Sequence, residues 1–357
     1  MSDVATADDK PLPPHADLTF WLDQNGDRRP IQSLEDWQRR RRSIFAGMHR
    51  VMGPLPRPEE QVPLDVQIVE ETQLTEDRLI RRKLAYHTDS KKRRVRAWLF
   101  LPSDVSGTDD SKPIKRRPAI LCLHQTTRIG KDEPAGLGGN PNLHYALHLA
   151  RRGYVTLAPD YPSFGEYPYE FPASDGYISG TMKAVYDNVR AIDLLQSLPF
   201  VDSERIGCIG HSLGGHNTMF TAAFDPRIKV LVSNCGFTRF HKYYNGRLKG
   251  WTSARYMPLI DRDFGNDPDR VSFDFPEIVA TFAPRPFLAS APVRDSNFEV
   301  SGVRDTIAAA KAIYRLHNAE ENLRANYPDS AHDFPEDARR VAYIFFDRHL
   351  KHSPVGR

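Results

Sequence analysis

From residue 117 onward, the chain alternates short apolar runs with longer stretches in which apolar residues recur at helical spacing. The strand-like runs are PAILCLH, YVTLAP, RIGCIG, IKVLVSN, RPFLASAP and LRANYP, and the predicted helices lie near 142–152, 178–198, 213–224, 303–317 and 335–350. A strand, a crossing helix and a second strand of the same sheet run in parallel. The alternation therefore predicts an α/β fold with a mostly parallel sheet and helices on both faces.

The chain before residue 117 follows a different pattern, because apolar and polar residues alternate there without intervening helices. Such alternation is typical of half-buried strands. It predicts antiparallel strands near 64–74, 79–87 and 95–101.

The domain organisation can be predicted from the same patterns. Residues 1–60 are predicted to form an N-terminal extension with one amphipathic helix near 34–52, in which residues 1–33 carry no predicted element and are expected to be mobile. Residues 61–357 are predicted to form the main domain. An irregular segment rich in Tyr, Trp, Arg and Pro, at about 237–284, is predicted to be an insertion or lid within that domain.

Composition excludes several classes of function. The 49 basic and 46 acidic residues leave a net charge of only +3, so we expect neither nucleic acid nor a membrane as partner. The first fifteen residues lack the apolar core of a signal peptide, and no apolar run is long enough to span a membrane. Three cysteines, an odd number, all lie in strand-like runs, which favours free thiols in a reducing compartment. We therefore predict a cytoplasmic protein.

One short motif carries the strongest chemical signal. Gly210-His211-Ser212-Leu213-Gly214 fits the pattern G-x-S-x-G, with a predicted strand before it and a predicted helix after it. In that setting a sharp turn presents the serine hydroxyl at its tip. Ser212 is therefore predicted to be a nucleophile, provided that a base and an orienting acid lie in suitable places.

Two later strand ends supply those partners. Asp295 follows the strand RPFLASAP, and His332 follows the strand LRANYP. Because the carboxyl ends of parallel strands share one sheet edge, all three side chains are predicted to meet there, with His332 as general base and Asp295 as its orienting acid. The alternative interpretation of Asp295 is a turn former or helix cap.

Acyl transfer also needs donors for an oxyanion. The backbone N–H of Leu213, at the start of the helix after the serine, is one candidate. The backbone N–H of Gln125, in the loop after PAILCLH, is the second. The alternative is that the His-Gln-Thr-Thr segment is an ordinary loop.

The motifs LHQTT, DYPSFGE, GHSLGG, VRDSNF and SAHDFP, taken together, resemble those of a known superfamily. From about residue 95 to 350 the chain resembles the α/β-hydrolases, in particular the dienelactone-hydrolase-like, acetyl-xylan-esterase-like and prolyl-oligopeptidase-like branch of serine hydrolases. This resemblance implies an eight-stranded sheet, no metal or other cofactor, and ester hydrolysis through an acyl-enzyme. It also implies that Ser212, Asp295 and His332 are the triad, with Leu213 and Gln125 as oxyanion donors.

The predicted substrate is a small ester, either short-chain or of the carbohydrate type. Two alternatives stay open: an exopeptidase or amidase of the prolyl-oligopeptidase-like type, and a catalytically inert binding module. Within the insertion, aromatic and basic side chains are expected to line the substrate pocket: Tyr244, Trp251, Arg255 and Tyr256. The insertion could equally be a helical excursion packed on the sheet, or the interface of a homo-oligomer.

Overall fold

A computed structural model describes residues 14–55, 61–89, 93–105 and 115–354. The strands are β1 (Phe20–Leu22), β2 (Arg28–Pro30), β3 (Gln67–Leu74), β4 (Leu79–His87), β5 (Arg94–Pro102), β6 (Arg117–Leu123), β7 (Val155–Pro159), β8 (Val201–His211), β9 (Ile228–Asn234), β10 (Phe287–Ser290) and β11 (Leu323–Asn326). The helices are α1 (Leu34–Met52), α2 (Tyr145–Arg151), α3 (Gly180–Ser197), α4 (Leu213–Phe224), α5 (Leu259–Arg262), α6 (Phe275–Ala280), α7 (Val300–Leu316) and α8 (Glu336–His349).

The central sheet has nine strands in the order β11-β10-β9-β8-β6-β7-β5-β4-β3. Strands β6 to β11 pair in parallel, while β3, β4 and β5 are antiparallel to their neighbours. The predicted mostly parallel sheet is confirmed, but the implied count of eight strands is one too low. All nine runs noted in the sequence form strands, because the mostly exposed edge strand β3 extends the sheet by pairing with β4.

Helices cover both faces of the sheet, as predicted. Neighbouring residues of one strand point to opposite faces, and Leu231 and Val232 of β9 accordingly belong to different hydrophobic clusters. The cluster that contains Leu231 includes side chains of α1, α3, α4, α6 and α7. The cluster that contains Val232 includes side chains of α2 and α8.

The predicted N-terminal helix is α1, and it begins with a capping box in which Ser33 and Asp36 bond each other's backbone N–H. Its apolar stripe packs into the main core, and the buried Arg40 pairs with Glu277 of α6 at 2.6 Å. The division of the chain at residue 60 stays a prediction. The expectation of no ordered element before residue 34 is wrong for 20–30, because β1 and β2 form a hairpin there; residues 1–13 lie outside the described residues.

The irregular insertion leaves the sheet at the end of β9 and contains two 3₁₀ segments, Phe240–Gly246 and Leu248–Trp251, followed by α5 and α6. Among the described residues, none of the helices combines the length and the apolar composition that a membrane span requires.

Candidate active site

The turn between β8 and α4 is strained at Ser212. The serine backbone adopts φ 54° and ψ −116°, a region that costs a non-glycine residue about 1–3 kcal/mol. The two glycines of the motif make the turn possible: a Cβ on Gly214 would lie 1.9 Å from the carbonyl oxygen of Leu123, and one on Gly210 would lie 2.1 Å from that of Gly214. Strand and helix therefore meet too closely for side chains, and the turn presents the Ser212 hydroxyl, half-buried, at its tip.

Asp295 and His332 form a hydrogen-bonded pair at the same edge of the sheet. His332 Nδ1 lies 2.8 Å from Asp295 Oδ2, and because a carboxylate accepts, Nδ1 carries the hydrogen. The other carboxylate oxygen accepts the backbone N–H groups of Asn297 and Phe298 at 2.8 and 3.1 Å. The Asp295 side chain is 1% exposed and that of His332 is 23% exposed. Asp295 thus bonds the backbone of the local turn through one oxygen and the imidazole through the other, so the geometry is compatible with both interpretations, and its role as the orienting acid stays a prediction.

His332 packs against the ring of His211, the residue before Ser212. The two imidazole rings lie 4.7 Å apart between centroids. Burial, together with the nearby His332, lowers the pKa of His211 well below its usual value, so His211 is neutral. Among the described residues no hydrogen bond joins the Ser212 hydroxyl to His332. Nucleophile–base hydrogen bonds commonly tighten only once substrate binds.

Asn234, at the end of β9, links three residues of this edge by hydrogen bonds. The sequence analysis did not predict this role. Asn234 Nδ2 lies 2.7 Å from His211 Nδ1 and donates to the Asp333 carbonyl at 3.1 Å. Its own carbonyl accepts the Ser212 N–H at 2.9 Å. Its position at the carboxyl end of a central strand was a usable signal, because that edge carries the site.

Side-chain hydrogen bonds hold the loop after β6 in place. His124 Nδ1 donates to the Gln125 carbonyl at 2.6 Å, and His124 Nε2 accepts the Tyr161 N–H at 2.9 Å. Burial lowers the pKa of His124 to about 4, so the imidazole is neutral and can donate from Nδ1 while it accepts at Nε2. The buried Gln125 amide is anchored on Glu133. Within the described part of the chain, neither the Gln125 nor the Leu213 backbone N–H has a hydrogen-bond acceptor, so both are free to donate.

A cavity of about 140 Å³ opens beside Ser212. Its walls are Thr126, Ser212, Leu213, His216, Tyr243, Gly250, Trp251, Tyr256, Asn297 and Phe298. Leu213 therefore lines the cavity and so does Thr126, the residue after Gln125, whereas Gln125 itself does not. His216 is part of the wall, because a residue four positions after Ser212 shares its helix face.

The four insertion residues predicted to contact substrate divide into two pairs. Trp251 and Tyr256 line the cavity, whereas Tyr244 and Arg255 do not. The Tyr244 hydroxyl bonds Asn297 Oδ1 at 2.5 Å, which places it one residue behind the wall. The Arg255 guanidinium lies 4.3 Å from the centroid of the Phe164 ring, bonds Ser163 Oγ at 2.7 Å, and so braces the insertion.

The described residues contain one trio whose donor atoms could approach a single metal ion: Cys235, Asp295 and His332, with atoms within 4.8 Å of one another. Asp295 and His332 already bond each other. Burial raises the pKa of the Cys235 thiol well above its usual value, so it stays protonated and is a poor ligand. The expectation that the protein needs no metal or other cofactor stays a prediction.

Comparison with known proteins identifies the family. Residues 142–353, which include Ser212, Asp295 and His332, match the prolyl oligopeptidase family, Peptidase_S9. The chain belongs to this family. Its resemblance to α/β-hydrolases and its assignment as a serine hydrolase are thereby confirmed.

Individual relatives differ in how much of them the chain spans. YtaP of Bacillus subtilis (strain 168) is 30% identical over 248 residues, which are 65% of this chain and 79% of YtaP. Dipeptidyl-peptidase 5 of Porphyromonas gingivalis is 29% identical over 158 residues, 43% of this chain but only 21% of that protein. A solved glucuronoyl esterase from Solibacter usitatus superposes with a TM-score of 0.68 at 16% identity, covering 95% of this chain and 99% of that one, and so shares the fold.

Buried histidines around the site predict sensitivity to acid. Burial lowers the pKa of His124 to about 4 and that of His216 to about 3, and it lowers the pKa of His211 well below its usual value. Because the unfolded chain protonates these groups first, near pH 6.5, the stability they contribute is present above that pH and is lost as the pH falls toward 4. In this range each of these histidines lowers the free energy of unfolding by about 1.4 kcal/mol for each unit by which the pH falls.

Buried carboxyls oppose the trend. Burial raises the pKa of Asp160 to about 6 and also raises the pKa values of Asp187 and Asp274, so protonation of these groups favours the folded state as the pH falls toward their lower unfolded values. We therefore expect the free energy of unfolding, measured by urea denaturation, to fall by about 2–4 kcal/mol from pH 7.5 to pH 5.5. A value that stays constant or rises over this interval would contradict neutral, buried imidazoles at the site.

Proposed function

We propose that this protein is a serine carboxylic-ester hydrolase that acts through an acyl-enzyme on a small ester. The observation that carries the proposal is the placement of Ser212, on a strained turn in the wall of a small cavity, at the sheet edge that also holds the Asp295–His332 pair. The pair φ 54° and ψ −116° lies outside the left-handed helical region that Asn or Asp can adopt in turns, and such strained residues cluster at functional sites.

The proposed reaction uses the groups of this edge in sequence. Ser212 Oγ attacks the carbonyl carbon of the ester while His332 Nε2 takes the hydroxyl proton. The backbone N–H groups of Leu213 and Gln125 stabilise the tetrahedral oxyanion. The C–O bond to the alcohol then breaks, and His332 returns the proton to the departing alcohol. Water attacks the acyl-enzyme in the same way, and the carboxylic acid leaves with Ser212 restored; no metal or cofactor takes part.

The cavity suggests the size and type of the substrate. Its volume of about 140 Å³ is similar to that of a cavity that holds one benzene ring, which suits a short acyl group or a single ring. Tyr256, a half-buried wall residue, has an aromatic ring that can stack on a sugar ring. A carbohydrate-type ester fits these walls, and the structural neighbour from Solibacter usitatus is named as a glucuronoyl esterase.

Family membership makes a peptidase the second candidate. An exopeptidase that removes residues from a peptide amino terminus must bind an ammonium group, which requires a carboxylate partner when it is buried. The described residues that line the cavity include no Asp or Glu. This favours an ester over an aminoacyl substrate, while the fixed Asp295–His332 pair argues against an inert binding module.

Further proposals concern the setting of the enzyme. All three cysteines are buried and unpaired, which supports a reducing compartment such as the cytoplasm. The near balance of charge supports a small molecule, rather than nucleic acid, as partner. Assembly into a homo-oligomer, with the insertion as interface, is a prediction that light scattering on the purified protein can test.

A panel of substrates tests the proposed reaction. p-Nitrophenyl esters of increasing acyl length are compared with aminoacyl p-nitroanilides under identical conditions. We expect kcat/KM to be highest for acetyl or propionyl esters and to fall for longer chains that exceed the cavity, with anilides much slower. Preferential cleavage of aminoacyl anilides would instead establish the peptidase alternative.

A further inference from the structure

His216 is a buried wall residue whose chemistry the proposed reaction does not use. It lies one turn after Ser212 on α4, its side chain lines the same cavity, and it is 6% exposed. Its ring packs against those of Trp251, Tyr256 and Phe220, which holds it in one orientation.

The two ring nitrogens of His216 have different roles. Nδ1 lies 3.2 Å from the Gly236 carbonyl oxygen, and since a carbonyl only accepts, Nδ1 must carry the hydrogen. Burial lowers the pKa of His216 to about 3, so the ring is neutral and Nε2 keeps its lone pair. No donor among the described residues reaches Nε2, which is separated from Nδ1 by Cε1 and points in a different direction.

The adjoining wall residue supplies the complementary group. The Trp251 ring centroid lies 4.7 Å from that of His216, and the buried indole Nε1 has no acceptor among the described residues. Buried indole N–H groups without acceptors also occur at Trp21 and Trp37, outside the cavity, so Trp251 alone would not indicate a ligand. The distinctive feature is an acceptor and a donor on neighbouring rings of the catalytic cavity.

A hydroxyl group satisfies both, because it donates one hydrogen bond and accepts another. A neutral ligand also fits the walls, since the described lining residues include no Asp, Glu, Lys or Arg. We propose that His216 and Trp251 bind a hydroxyl group of the substrate and so select hydroxylated esters over their deoxy analogues. This inference rests on the proposed function, and it makes His216 and Trp251 specificity-determining residues rather than members of the triad.

The expected preference for hydroxylated esters over deoxy analogues follows from the unpaired His216 Nε2 and Trp251 Nε1. When a deoxy analogue occupies the cavity, the buried acceptor and donor stay without partners, and each such group costs about 1–3 kcal/mol. Sites built to bond a hydroxyl therefore reject the analogue that lacks it far more strongly than apolar pockets reject a missing methylene.

The experiment uses two pairs of esters in which a hydroxyl replaces a methyl group of similar size. Methyl glycolate and methyl propionate place the difference in the acyl group, whereas 2-hydroxyethyl acetate and propyl acetate place it in the alcohol. For each pair the ratio of kcat/KM is measured by titration of the acid released. We expect the wild type to prefer the hydroxylated member in one pair, which identifies the part of the substrate that enters the cavity.

Variants assign the preference to the two residues. Consider the pair in which the wild type prefers the hydroxylated ester. His216→Phe and Trp251→Phe should each lower the kcat/KM ratio of the hydroxylated to the methyl ester in that pair by about 10- to 100-fold relative to the wild type. His216→Gln, which restores an acceptor near Nε2, should recover part of it. Trp37→Phe is the matched control, because it removes a buried, unpartnered indole N–H outside the cavity and should leave the ratio unchanged. The use of ratios removes the effect of any loss of folded enzyme.

Two failures can be told apart. Labelling of Ser212 by a fluorophosphonate reports the triad independently of ester preference. If labelling persists and the ratios of both pairs are the same in the wild type, His216→Phe and Trp251→Phe, the hydroxyl site is wrong while the hydrolase proposal stands. If Ser212 is not labelled in the wild type, the proposed function itself fails.

Discussion

Replacement of Ser212 by alanine is expected to lower kcat by about 10⁴- to 10⁶-fold, the largest effect of any single substitution in this chain. Alanine keeps the Cβ and the strained backbone at φ 54°, so the substitution removes only the hydroxyl that would attack the ester. The residual rate would come from the oxyanion donors and from substrate binding. The measurement is the hydrolysis of p-nitrophenyl acetate, together with fluorophosphonate labelling and thermal unfolding.

Ser233 offers a matched control for this substitution. It is a buried serine of the neighbouring strand β9, and its hydroxyl has no hydrogen-bond partner among the described residues. Ser233→Ala should keep kcat within a few-fold of the wild type and leave labelling intact. Equal labelling of Ser212→Ala and the wild type, or a loss of activity in Ser233→Ala as large as in Ser212→Ala, would remove Ser212 from the role of nucleophile.

The candidate triad could be predicted from the sequence because each of its members lies in the turn or loop that follows a strand of the parallel part of the sheet. In such a sheet the carboxyl ends of the strands meet at one edge. Residues far apart in the chain, such as Ser212 and His332, are therefore brought to that edge by topology alone. Asp295 could be predicted as the orienting acid for the same reason, and the turn-forming interpretation that the sequence also allowed is supported by the N–H groups that its carboxylate accepts.

The wall of the cavity could not be predicted in this way. The insertion after β9 has irregular backbone, including positive φ at Tyr244, so no periodicity indicates which side chains face the site. Trp251 and Tyr256 line the cavity, whereas Arg255 turns toward Phe164. His216 was not predicted as a wall residue, although its helical spacing from Ser212 places it on the same face, and its role depends on the partner of each ring nitrogen.

The N-terminal part shows a second limit. The apolar period of α1 predicted the helix, yet nothing in the local pattern indicated that the buried Arg40 pairs with Glu277 of α6. Such a contact joins residues far apart in the chain and depends on tertiary packing. The β1–β2 hairpin was missed because two strands of three residues each are too short to show alternation.

Asp295→Asn is expected to lower kcat/KM by about 10²- to 10⁴-fold while changing the melting temperature little. The amide oxygen can still accept the N–H groups of Asn297 and Phe298, so the turn persists. The amide nitrogen would then face His332 Nδ1 and donate to it, which places the imidazole hydrogen on Nε2. A protonated Nε2 cannot take the proton of Ser212, so the loss reflects the wrong tautomer and the missing negative charge. The measurement is kcat/KM for p-nitrophenyl acetate alongside thermal unfolding.

Asp333, next to His332 in the chain, provides the control that separates charge near the site from charge at the imidazole. Its carboxylate accepts from Asn140 Nδ2 at 2.9 Å and from Asn142 Nδ2 at 2.6 Å, which ties the His332 loop to the segment before α2. Asp333→Asn should therefore lower stability, because an amide nitrogen would face another amide nitrogen, while the folded enzyme keeps most of its kcat/KM. If the two variants exchange these results, so that Asp295→Asn unfolds readily but stays active, Asp295 is a turn former alone and another carboxylate orients His332.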